Sequence, residues 1–203
     1  MTKDADRIIE LYQTHALTWV GQRGTSLWER VWLDPFLDLL PPSASVLDIG
    51  CGSGSPMAEY LSGQGACVTG VDTSPELIAI AGTTLPDAQW LISDMRTLRL
   101  DRRFDGVLAW HSFFHLTPED QRRMFDVFAQ HAAPGAALMF TSGPAQGEAI
   151  GDLAGEPLYH ASLDAAEYRS LLHRHGFEVV QHVVEDARCG GATVWLARST
   201  NTT

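Results

Sequence analysis

The 203-residue sequence contains one lysine, Lys3, and its arginines are scattered singly or in short pairs. Fourteen Lys and Arg residues stand against 25 Asp and Glu, a formal net charge of −11 at pH 7. Proteins that grip duplex nucleic acid or an anionic membrane present an excess of cationic side chains to the phosphates. Neither partner is expected here. Cysteine is scarce too: Cys51, Cys67 and Cys189 are odd in number and irregular in spacing. They match no zinc-ligand pattern, and a disulfide framework is not expected at this size, so they read as reduced thiols of a cytoplasmic protein. No repeat or low-complexity tract is present, and no run approaches the ~18 apolar residues of a membrane span. The opening MTKDADRIIELY is polar and acidic, which predicts no secretory leader.

What is present is a regular alternation of short apolar runs and helical segments, in a chain long enough for one substantial core. Helices are predicted from Ala5 to Arg23 and from Leu27 to Leu40, the second stopped by Pro41 and Pro42. Strands follow at Ser45–Ile49, Cys67–Val71, Gln89–Ile92, Gly106–Trp110 and Ala137–Thr141. Ser55-Pro56, Ser74-Pro75 and Thr117-Pro118 each read as an N-cap followed by proline at the first helical position. Strands alternating with helices imply a parallel sheet with crossovers on both faces. Residues 143–160 are rich in Gly and Pro and read as a long loop. A helix from Asp164 to His175 and two strands, Glu178–Val184 and Thr193–Ala197, complete the chain.

The first strand runs into VLDIGCGSGSP, Val46 to Pro56, with glycine at 50, 52 and 54. In an open parallel sheet, ligands bind beyond the carboxyl ends of the strands. Glycines there let backbone approach a ligand closely and tolerate positive φ. A dinucleotide fingerprint would need glycine at 55 or 57, where Ser55 and Met57 stand, so that pattern fails on spacing. The next strands end on Asp72, in GVDTS, and Asp94, in ISDMRTL. The fourth ends on Trp110-His111.

The D-x-G-x-G-x-G loop, the two strand-end aspartates and PGAALMF, Pro134 to Phe140, together resemble the class I S-adenosylmethionine-dependent methyltransferases over roughly residues 43–142. The resemblance implies an α/β, Rossmann-like, mostly parallel sheet of seven strands in the order 3-2-1-4-5-7-6, with the last strand antiparallel. It implies one domain over 1–203, with an N-terminal helical lid (1–42), a cofactor-binding core (43–142) and a substrate loop with the C-terminal strands (143–203). It also implies S-adenosylmethionine as cofactor, S-adenosylhomocysteine as its product and a small-molecule acceptor. The loop Gly50, Cys51 and Gly52 would lie along the methionine part, and Asp48 would engage its ammonium. Asp72 would bind the ribose with Thr73 beside the adenine, while Asp94 and Met95 would read the adenine edge. Trp110 and His111 would face the ammonium or the methyl group. From the lid, Tyr12, Trp19 and Arg23 form one stripe, with Tyr12 and Arg23 placed to hold the cofactor carboxylate.

Methyl transfer is an in-line displacement that needs alignment more than acid–base help. Should the acceptor have to lose a proton, His111 and His115 are the candidate bases. Tyr159 and His160 are further substrate candidates, and the aromatic residues Trp28, Trp32, Phe113 and Phe114 suggest an apolar pocket. His111, His115 and His160 could collect a metal, but nothing in their spacing argues for one. The fourth strand end lacks the N/D-P-P-Y-like run of amino-directed nucleic-acid methyltransferases and the acidic ligands of catechol-type enzymes. Three readings stay open: methyl transfer, non-methylating sulfonium chemistry, and a non-enzymatic cofactor-binding module. Monomer and homodimer both stay open too.

Overall fold

The structure, a computed structural model, describes residues 2–201. Seven strands form one sheet: β1 (Ser45–Ile49), β2 (Cys67–Asp72), β3 (Gln89–Ile92), β4 (Phe104–Ala109), β5 (Ala132–Ser142), β8 (Phe177–Asp186) and β9 (Ala192–Ser199). Their order is β3-β2-β1-β4-β5-β9-β8. Pairings from β3 to β5 are parallel, whereas β9 runs antiparallel to both β5 and β8. A hairpin intervenes in the chain, β6 (Gly147–Leu153) with β7 (Glu156–Ser162), and forms a sheet of its own. With the hairpin set aside, the order is the expected 3-2-1-4-5-7-6.

The central strands are buried on both faces, as a parallel sheet between helices requires. Alternate residues serve opposite layers. Leu47, Ile49, Val107, Leu138 and Phe140 pack under α7 (Pro118–His131) and α8 (Ala165–Arg174). Val46, Leu108 and Met139 pack under α4 (Arg30–Asp38) and α5 (Met57–Gly63). The caps largely follow the sequence. Ser74 Oγ accepts from the Leu77 amide at the start of α6 (Pro75–Thr84), and Thr117 Oγ1 accepts from Asp120 at the start of α7. Ser55 does not cap: α5 opens one residue after Pro56, with no side-chain cap.

Four further expectations are corrected. The first predicted helix is three short ones, α1 (Thr2–Asp6), α2 (Ile8–Thr14) and α3 (Ala16–Arg23). The two break residues, Arg7 and His15, both reach Glu156 of the hairpin, at 2.9 and 2.7 Å. The helix α4, expected in the lid, belongs to the core: Trp32, Leu33 and Phe36 are fully buried, and Trp32 Nε1 donates to Asp186. The fifth strand starts five residues early, because Pro134 and Gly135 form a bulge inside it where its register with β4 slips. The Gly- and Pro-rich stretch is the β6–β7 hairpin. Its two turn residues, Ala154 and Gly155, both have positive φ, +57° and +85°, the geometry that matches strand twist in a two-residue turn.

Among the described residues, no helix is long and apolar enough to cross a membrane. Gly70 in β2 has ordinary φ, but a Cβ there would lie 2.2 Å from the Trp90 ring. Gly70→Ala therefore overpacks the sheet and should cost about 1–3 kcal/mol. Urea unfolding should show less than half that loss in a Trp90→Leu background; an equal loss in both would show that Trp90 is not the obstacle.

Candidate active site

The carboxyl ends of β1, β2, β3 and β4 open on one edge of the sheet. The loops that follow them form the floor of a cavity of about 330 Å³, α1–α3 form its roof, and β7 forms one side. Ligand pockets of about this size upward are usual.

The glycine loop is shaped by its own neighbours as well as by the cavity. Gly50, Gly52 and Gly54 all have positive φ, between +55° and +76°. A Cβ at Gly50 would fall 2.2 Å from Ser112, one at Gly52 2.5 Å from Trp19, and one at Gly54 2.6 Å from Trp90. Both the Gly50 and Cys51 amides donate to the Val71 carbonyl, at 2.7 and 3.0 Å. Asp72 completes the tie: its Oδ2 accepts from the Gly52 amide and its Oδ1 from Ser74, each at 2.9 Å. Burial pushes the Asp72 carboxyl up, and these amides pull it partly back. A carboxylate has about four lone-pair sites, so capacity for a further ligand is left.

Asp48 is buried, lines the cavity, and has no hydrogen-bond partner among the described residues. Burial, then the charge of Asp72, pushes its pKa up to about 7. Cys51 also lines the wall, and burial with the two aspartates holds its thiol well above the ordinary range. Asp94 is forked onto Arg96, at 3.0 and 2.6 Å. Burial raises its carboxyl, but Arg96 outweighs that and the net direction is down. Thr73 and Met95 line the same half, and the Thr73 carbonyl receives the Gln13 amide from the roof.

The other half is aromatic. Trp110 and His111 follow β4, and His111 stands at φ +48°, a strained conformation for a side-chain-bearing residue. Its amide donates to Thr141 Oγ1 at 2.9 Å, while its ring opens into the cavity. The surrounding protein, then Arg23 and His160, lowers the imidazole pKa to about 4, so the ring is neutral at pH 7. His115 is buried deeper, and burial lowers its pKa to about 3. Both its nitrogens are engaged, Nδ1 with the Tyr159 carbonyl at 2.8 Å and Nε2 with the Tyr12 hydroxyl at 2.9 Å. That leaves it no lone pair for an acceptor's proton. On β7, Leu158 and His160 face the cavity, and Tyr159 between them faces away and is buried.

Tyr12, Trp19 and Arg23 all meet the cavity, but from two helices, Tyr12 on α2 and the other two on α3, rather than from one helical stripe. Trp19 covers Gly52, and Tyr12 and Arg23 line the cavity. Arg23, however, is turned to Glu29 at 2.6 Å and to the Ser26 carbonyl. Tyr12 is turned to His115. Neither is free in this arrangement to hold a carboxylate with those same atoms. Trp28 and Trp32 are not in the wall: Trp28 is on the surface and Trp32 in the core, as is Phe113. Wall residues that the sequence reading missed include Ile8, Ile9, Ser112 and Leu158. Among the described residues no group of three His, Cys, Asp or Glu is placed to hold a metal ion.

A family described as "Methyltransferase domain" matches residues 26–182. The chain belongs to that methyltransferase family. It is 31% identical over 101 residues to dTDP-3-amino-3,4,6-trideoxy-alpha-D-glucopyranose N,N-dimethyltransferase of Streptomyces venezuelae, covering 49% of this chain and 42% of that one. It is 36% identical over 102 residues to ubiquinone biosynthesis O-methyltransferase of Coxiella burnetii, covering 48% and 42%. The chain thus spans about two fifths of the length of these curated relatives. In structure it resembles S-adenosylmethionine-bound CalS10, an amino pentose methyltransferase from Micromonospora echinaspora, with a TM-score of 0.70, 22% identity, and coverage of 88% and 93%. That likeness is one of fold.

In this methyltransferase domain the acidic groups cluster beside the glycine loop and the neutral imidazoles lie in the aromatic half. Asp48 carries a consequence for stability. A carboxyl whose folded pKa is raised binds its proton more tightly folded than unfolded, so stability falls as pH rises from about 4 to about 7. Asp48→Asn removes that slope. Thermal midpoints of the ligand-free protein should be higher for the variant at pH 8, by several degrees at about 2–4 °C per kcal/mol, and equal near pH 4. A variant less stable than the parent at pH 8 would show that Asp48 is not held against its charge.

Proposed function

We propose that this chain transfers a methyl group from S-adenosylmethionine to a small-molecule acceptor. The observation that carries the reading is Asp48, a buried carboxylate without a protein partner, set in the cavity beside the glycine loop. Such a group calls for a cationic or donor-bearing ligand, and the cofactor's ammonium supplies one. Around it, Asp72 retains lone pairs for the ribose hydroxyls, and Asp94 with Met95 borders the place for the adenine edge. The backbone from Gly50 to Gly52 leaves room for the methionine chain. When bound, the sulfonium supplies an already activated methyl group. The chain's contribution is then to orient the acceptor and exclude water, and orientation of this kind can supply ~7–11 kcal/mol.

His111 is the residue best placed for proton transfer. It is neutral at pH 7, its ring faces the cavity, and no protein group among the described residues bonds its imidazole. A pKa near 4 keeps the ring neutral, with a lone pair open, at pH 7, but lies well below the optimum for a general base, so His111 serves to accept a hydrogen bond from the nucleophile more than to remove its proton in full. His115 has no such role, because its ring nitrogens are both engaged.

Calorimetric titration with S-adenosylmethionine, S-adenosylhomocysteine and NAD tests the reading. The two sulfur nucleotides should bind and NAD should not. Asp72→Ala should lower affinity for S-adenosylhomocysteine by about 100-fold or more, since charged hydrogen bonds and the loop tie are lost together. Binding of NAD alone, or near-parental affinity in the Asp72 variant, would overturn the assignment. His111→Ala should lower kcat more than it weakens cofactor binding; equal losses would make His111 a binding residue.

A further inference from the structure

The Tyr12 hydroxyl is a one-way group, and the reason lies two residues behind it. His115 Nδ1 is 2.8 Å from the Tyr159 carbonyl oxygen, which can only accept, so Nδ1 carries the hydrogen. In a neutral imidazole Nε2 is then bare, and it lies 2.9 Å from Tyr12 Oη. The Tyr12 proton must go to His115. What Oη presents to the cavity it lines is lone pairs alone. Burial reinforces the arrangement: it disfavours a charged imidazole at His115 and an ionised phenol at Tyr12.

The position of this oxygen matters as much as its polarity. Tyr12 is close enough to Asp72 to sense its charge, and its ring is 6.2 Å from Trp19, which covers Gly52. On its other side the His115 ring is 5.4 Å away, and beyond that His160 is 4.8 Å from His115. Tyr12 therefore stands where the acidic half of the cavity meets the aromatic half. The cations in the wall are already paired, Arg23 with Glu29 and Arg96 with Asp94.

We propose that Tyr12 holds the methyl acceptor by its hydrogen, taking the N–H or O–H of the nucleophile and so aiming the nucleophile's own lone pair at the transfer point. His115 acts through Tyr12 as a positioning residue, and the Tyr159 carbonyl of β7 fixes its tautomer. This assignment rests on the methyl-transfer reading above and narrows it. An amine or a hydroxyl has a hydrogen to offer. A carboxylate has none and would meet lone pairs at Tyr12 and the field of the neighbouring aspartates, so carboxylate acceptors are disfavoured.

Sinefungin provides a probe that needs no knowledge of the acceptor, because an amine-bearing carbon replaces the methylsulfonium group and puts an N–H donor at the transfer point. Affinities of sinefungin and S-adenosylhomocysteine are measured for the parent protein and Tyr12→Phe. The variant should bind S-adenosylhomocysteine within about twofold of the parent and sinefungin about tenfold more weakly or worse, the loss expected for a hydrogen bond to a charged donor. Equal loss for both ligands would place Tyr12 on a part they share, and no loss for either would leave the oxygen without a ligand; both outcomes overturn the proposal. A parent protein that binds S-adenosylhomocysteine but not sinefungin overturns it as well. A parent that binds neither removes the methyl-transfer reading itself, and this proposal with it. Independently, long-range proton–nitrogen correlation spectra of the parent should show His115 as the neutral Nδ1–H tautomer, and an Nε2–H tautomer would reverse the polarity on which the argument stands.

Discussion

The site is organised around one carboxylate. Asp72 ends β2, and its two oxygens take the Gly52 amide from the loop after β1 and the Ser74 amide at the start of α6. Without that bridge, the start of the glycine loop would keep its two amide bonds to Val71 and its end the Ala58 amide on the Gly54 carbonyl, but Gly52 at its middle would lose its tie to β2. The loop's path in turn decides where Ser112, Trp19 and Trp90 can pack, because each fills the face of one glycine. The carboxylate is held despite burial because backbone amides offset part of its desolvation. A neighbouring carboxylate, Asp48, feels its charge and is pushed toward its neutral form. Structural support and electrostatic tension in the floor of the cavity therefore come from the same residue.

The roof depends on the hairpin in a comparable way. Glu156 sits at the end of the two-residue turn and takes Arg7 and His15 from successive breaks in the N-terminal helices. Exposed ion pairs of this kind are worth little individually. Their value here is geometric: they turn α2 so that Tyr12 faces His115 and Gln13 reaches the Thr73 carbonyl. Roof, side wall and floor are connected by short polar links over an otherwise apolar interior.

The parts of this arrangement that a reader of the sequence can see are those with a local cause. The parallel sheet follows from β–α alternation and the strand-end aspartates from acidic residues at the ends of apolar runs, whereas the strand order was legible only through the family resemblance. Ser74 and Thr117 cap as their neighbours suggest. The hairpin was hidden because β6 is almost wholly exposed and carries no apolar alternation, and because alanine is an unusual first residue in its turn. Adjacent residues of a strand face opposite ways, so of Tyr159 and His160 only one side chain could reach the cavity, and nothing local says which. The engagement of His115 on both nitrogens, and of Arg23 with Glu29, depends on partners that the fold supplies. Glu29 is six residues from Arg23, and Tyr12 is 103 residues from His115.

The clamp at Glu156 also bears on the order in which the molecule can assemble. The glycine loop and the first three strand ends lie within the first half of the chain and can pair as they emerge. The contact that fastens the roof joins His15 to a residue 141 positions later. A growing chain therefore carries these helices without their anchor until Glu156 has been made. Contacts this distant in sequence form late and slowly. During that interval Ile8 and Ile9, which end as cavity wall, have no settled neighbour on the hairpin side. The enclosed cavity is a product of the finished chain, and the nascent protein passes through a stage in which its floor is built and its roof is not.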